Sequence, residues 1–154
     1  MAFAENTQVG TDRSKAEIER TLTRYGAQQF IHGWDQKRAM IGFKINNRFV
    51  KIFLPLPSKD APEFRKTPSG RRSRDADGAY KAWEQACRQK WRALALVIKA
   101  KLEAVESGIT TFDEEFLAHI ALPDGATAGE FMIPQIQIAY ETGNMPQLLP
   151  WNRD

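Results

Sequence analysis

The apolar positions of this chain change their spacing along its length, and each change predicts an element. Ile18, Leu22 and Tyr25 recur at helical intervals, and Gly26 supplies the left-handed residue that ends a helix. Ser14 and Glu17 have the spacing of a capping box, in which hydroxyl and carboxylate each satisfy a backbone N–H at a helix start. Residues 1–12 are small and polar, without periodicity, and are expected to form a disordered tail, leaving 13–154 as a single domain.

The spacing then shortens to two. Gln28 to Gly33, Arg38 to Ile45 and Arg48 to Leu54 read as a three-stranded antiparallel meander. Asn46-Asn47 tolerates the positive φ of a type I′ turn, and a two-residue turn fixes the register. Ile45 then faces Arg48, Phe43 faces Val50, Ile41 faces Ile52 and Ala39 faces Leu54, so one side of the hairpin is apolar and belongs against a core. The other side carries Arg38, Met40, Gly42 and Lys44 beside Phe49, Lys51 and Phe53, a mixture of cations and aromatic rings.

From 55 to 78 the rhythm is lost among prolines and the cations Arg65, Lys66, Arg71, Arg72 and Arg74, and a mobile basic loop is expected. Helical spacing returns over Ala79 to Ser107, where Tyr80, Trp83, Cys87, Trp91, Leu94, Ile98, Leu102 and Val105 form one stripe. Two shorter helices follow by the same capping logic, at Thr111 with Glu114 and at Thr127 with Glu130. Pro134 should kink the second or mark its beginning, Gly143 closes it, and Pro146, Pro150 and Trp151 suggest an extended strap. The expected fold is α+β: a helix, a meander, one long amphipathic helix and two C-terminal helices.

Composition adds a compartment and an asymmetry. At 154 residues the chain can bury a core without disulfides or metals. The lone Cys87 has no partner for a bridge or a zinc motif. With neither a signal-like start nor an apolar run of membrane-spanning length, a cytoplasmic protein without membrane contact is expected. Residues 37–101 hold 17 Lys and Arg against 5 Asp and Glu, whereas residues 109–154 hold 1 against 7. Segregated charge of this kind steers a polyanion toward one part of a surface.

The residues for catalysis are few. His32 and His119 are far apart in sequence, and Cys87 falls on the core stripe of the long helix, where a thiol usually packs as a small hydrophobe. Asp113, Glu114 and Glu115 suit a helix N-terminus better than a divalent metal, although a metal-dependent nuclease stays open as an alternative. No phosphate-binding glycine loop is present. The expectation is therefore no catalytic residue, no metal and no cofactor.

The basic and aromatic residues remain. Single-stranded nucleic acid is held by cations that track its backbone and flat side chains that stack on its bases. Arg38, Lys44, Phe49, Lys51 and Phe53 offer both on one sheet face, and Arg65, Lys66, Arg71, Arg72 and Arg74 add phosphate contacts from the loop. The opposing reading is that C-terminal helices cover this face and turn its phenylalanines into a second core layer.

Arg24-Tyr25-Gly26-Ala27, Trp83-Glu84-Gln85-Ala86 and the run from Arg88 to Glu103 resemble a family of small proteins encoded by bacteriophages and prophages, over about residues 12–150. The resemblance implies a phage context and no catalytic residue. In its order of elements alone the chain is also similar to the double-stranded RNA-binding domain and to the core of phage single-strand annealing proteins, which assemble into rings or filaments. The leading expectation is thus a phage nucleic-acid-binding protein, a single-strand DNA annealing or recombination accessory factor that forms a homo-oligomer. The alternative is a protein-binding inhibitor of a host enzyme or defence system.

Overall fold

The computed structural model describes residues 2–35 and 37–147, with side chains from Thr11 onward. Its elements are α1 (Ala2–Arg24), β1 (Gln29–Trp34), β2 (Arg38–Ile45), β3 (Arg48–Pro55), α2 (Ala76–Glu106), α3 (Phe112–Phe116) and α4 (Ala128–Thr142), an α+β arrangement. The strands form one antiparallel sheet in the order β1-β2-β3. Among the described residues no helix is long and apolar enough to cross a membrane.

The β2–β3 hairpin has the register that its turn dictates. Asn46 and Asn47 both take positive φ, 52° and 61°, and Ile45 faces Arg48, Phe43 faces Val50, Ile41 faces Ile52 and Ala39 faces Leu54. These apolar residues line the inner face, and α1 and α2 pack across it. Ile18 and Leu22 come from α1, and Trp91, Leu94, Ile98 and Leu102 from α2. Phe116 of α3 closes the end of this core, its ring edge-on to Phe43 at 5.7 Å between centroids. Edge-to-face contact matches the positive ring edge to the negative face and adds to the gain from burial.

The first helix is longer than the capping signature suggests. It runs from Ala2, so Ser14 lies inside it and the tail foreseen at 1–12 is helical from residue 2. An S-x-x-E spacing reads the same inside a helix as at its start, and no proline stands in 2–13 to stop the helix extending backwards. Lys15 is buried on its inner face with the ammonium 5.0 Å from the centre of the Trp91 ring, and burial lowers its pKa.

The segment foreseen as a mobile loop over 55–78 carries regular local structure. Pro62–Phe64 forms a 3-10 turn with Phe64 buried, and a bridge between Lys66 and Ser73 closes a small hairpin. Thr67 and Arg72 pair across it, and Gly70 at φ 70° finishes its turn. Two longer bonds anchor it: Trp83 Nε1 donates to Pro57 O at 2.7 Å, and the Arg74 guanidinium donates to Phe64 O at 3.3 Å. The long helix accordingly begins at Ala76, capped by Asp75, whose carboxylate accepts from the Gly78 N–H.

The C-terminal elements follow their caps. Thr111 accepts from the Glu114 N–H, and Thr127 with Glu130 forms the full reciprocal box. Pro134 sits within α4, and Gly143 caps its end at φ 74°. Between α3 and α4 the chain returns to the sheet: Ile120 bridges Val50, and the Ala121 N–H donates to Phe49 O at 2.7 Å. The edge of β3 is thereby occupied at Phe49 and Val50, whereas β1 forms the other margin of the sheet. Pro150 and Trp151 of the expected strap lie outside the described residues.

Candidate nucleic-acid interface

Strand alternation puts Arg38, Met40, Gly42 and Lys44 of β2 and Phe49, Lys51 and Phe53 of β3 on the outer face, with Ile31 of β1 beside them. No helix buries it. Phe49, Lys51, Phe53 and Lys44 are half-buried and Arg38 is exposed. This shielding is largely lateral, from neighbours within the sheet. A Cβ at position 42 would meet Ile31 Cγ1 at 2.9 Å and Phe49 Cζ at 3.0 Å, so the missing side chain lets those two close over the backbone.

The cations of this face are held in different ways. The Arg38 guanidinium lies 4.0 Å from the centre of the Phe53 ring, a cation–π contact. Lys51 Nζ donates to Gly125 O at 2.7 Å, which ties the turn after α3 to the middle of the face. Lys44 stands directly across from Phe49. The backbone at the start of β2 is set by Asp35, whose carboxylate accepts from the Lys37 and Arg38 N–H groups and is held below the usual carboxylate range by those two bonds.

The second predicted group is elsewhere. Arg65, Lys66, Arg71 and Arg72 are exposed on the small hairpin, and this hairpin leans on α2, which lies across the inner face of the sheet. Arg74 is half-buried, with its guanidinium on Phe64 O. A crevice of about 330 Å³ separates hairpin from helix, lined by Lys66, Arg74, Gln85 and Gln89 among others. The structure therefore joins Arg38, Lys44, Phe49, Lys51 and Phe53 into one surface and gathers the loop cations into another.

Other chemistry-bearing residues have local roles. Asp113 pairs with Arg48 at 3.2 Å, Glu114 accepts from the Thr110 hydroxyl, and Glu115 pairs with Lys101 at 3.1 Å. Among the described residues no group of three or more His, Cys, Asp or Glu is placed to hold a metal ion. Cys87 is buried in the core, where desolvation pushes its thiol up to about 11 and keeps it protonated.

The cations of α2 are not among the sequence-predicted site residues. Lys90, Arg92 and Lys99 are exposed on that helix, with no ion pair to any described residue. The signal was available in their spacing, which puts Arg92 and Lys99 on one side of the helix. Comparison with protein families, with curated proteins and with solved structures finds no match to this chain.

Proposed function

We propose that the chain binds single-stranded nucleic acid, single-stranded DNA first, across the outer face of its sheet. The observation that carries the reading is the stacked Arg38–Phe53 pair on the same face as Phe49 and Lys44, a face that no helix among the described residues covers. Rings offer a surface on which bases stack whatever their sequence, and cations between them meet the phosphates. The exposed cations of the hairpin, on a separate surface, add to the overall positive field and speed the encounter with a polyanion. In a phage setting such a protein would serve as a recombination or annealing accessory factor.

The test is binding of a labelled single-stranded oligonucleotide across a salt series. Arg38→Gln with Lys44→Gln should flatten the dependence on salt, because each lost phosphate contact removes about 0.7 from the logarithmic slope. Arg71→Gln with Arg72→Gln should do the same only if the strand reaches the hairpin; Arg74 is left in place because it holds Phe64. Phe49→Ala should weaken affinity and leave the slope unchanged. Absence of binding by the native chain at low salt overturns the reading.

A further inference from the structure

Two helices carry an apolar stripe that no described residue covers. On α4, Ile133, Ile136 and Tyr140 fall on one side, and Ile133 and Tyr140 are 62% and 86% exposed. Only Ala128 and Gly129 of this helix are buried, against the turn at Ala118. On α2, Ala93, Leu96, Val97 and Ala100 lie on the side away from the core, with Leu96 61% exposed. Each stripe spans eight residues, about 10 Å from first to last.

Their borders carry opposite charge. Glu130 and Glu141 flank the α4 stripe, and residues 109–147 contain no Lys or Arg. Arg92 and Lys99 flank the α2 stripe on one side and Lys90 on the other, and none of these three forms an ion pair with a described residue. The sheet face is a poorer match for α4, because Arg38 is already stacked on Phe53 and Lys51 already bonded to Gly125. On α2 the cations make no ion pair with a described residue, and Ala93 and Ala100 allow a second helix to approach closely.

We infer that α4 of one copy docks on α2 of a second copy, apolar stripe to apolar stripe and acidic border to basic border. The two surfaces are different, so the pairing is either reciprocal, with α4 and α2 of each copy meeting α2 and α4 of the other in a closed two-fold dimer, or head-to-tail, with one α2 and one α4 left open at the ends. The outer sheet face takes no part in it, so the inference stands apart from the nucleic-acid reading.

The experiment is sedimentation of nucleic-acid-free protein across a concentration series. The native chain should assemble with rising concentration, and more weakly in high salt. Ile133→Asp and Leu96→Asp replace exposed side chains, so both variants should keep the native circular dichroism. Each alone should remain monomeric over the range in which the native chain assembles, a weakening of about tenfold or more. Mixed in equal amounts the two should form a one-to-one dimer, since one retains an intact α2 and the other an intact α4. A native chain that stays monomeric at every concentration overturns the inference, as does a mixture in which both variants stay monomeric. Assembly abolished by only one of the two substitutions also overturns it, because a symmetric contact would use one helix twice.

Discussion

On the inner face of the β2–β3 hairpin Ile41, Phe43 and Val50 are fully enclosed; one residue along, on the outer face, Lys44, Phe49, Lys51 and Phe53 remain half-exposed. The same two strands thus carry a surface set by packing and a surface set by charge. Inner positions touch helices on every side and tolerate little change of volume. Among the described residues the outer positions pack against strand neighbours and one turn, so cations there bring mutual repulsion without helping to fill a core.

The contrast can be broken or sharpened by substitution. Phe43→Ala removes a fully buried ring that Phe116 also contacts, and should lower unfolding stability by about 3–5 kcal/mol in urea titration. Phe49→Ala should cost less stability, yet weaken single-stranded DNA binding by about 1–3 kcal/mol in a fluorescence titration. Thr127→Ala deletes one half of the α4 capping box, and should cost about 1 kcal/mol with loss of helical signal. Lys44→Gln should change stability by no more than about 0.5 kcal/mol and still reduce the salt slope of binding. Were Lys44→Gln to unfold the chain, the distinction between the two faces would be void.

The smallest effect is a pH dependence. His119 is half-buried, and burial first and Lys101 second hold its pKa below the ordinary value of 6.5. The folded chain therefore binds this proton less readily than the unfolded chain. Stability from this source is undiminished above pH 6.5 and falls as the pH drops below it toward the folded value. His119→Gln should flatten that part of the profile in thermal melts between pH 5 and pH 7.

Local chemistry made much of this legible in the sequence. The Asn46-Asn47 turn determined the hairpin register, and Thr111 and Thr127 marked their helix starts, because a turn or a cap depends on residues a few positions apart. The structure of 55–78 was not legible, because it rests on Trp83 reaching back to Pro57 and on Phe64 finding a buried place, contacts set by tertiary packing. Ser14 and Glu17 misled for the opposite reason: a local pattern was present and the helix ran past it. Within the candidate site, alternation correctly put Arg38, Lys44, Phe49, Lys51 and Phe53 on one face. It gave no information about the hairpin arginines, whose position depends on how a long connection folds back on α2. The exposure of α4 was equally hidden, since an apolar helix reads the same whether its own chain or another molecule covers it.

The return of Ile120 and Ala121 to β3 gives the sheet a direction. Their contacts occupy the start of that edge, at Phe49 and Val50, and so obstruct an extended chain that would lie along the whole of β3. Gln29–Trp34 is the opposite margin, six residues long and ending in an exposed tryptophan. A strand exchanged, captured or mispaired along a full margin would therefore enter beside Trp34, and a single proline in the middle of that segment would tell whether such pairing ever occurs.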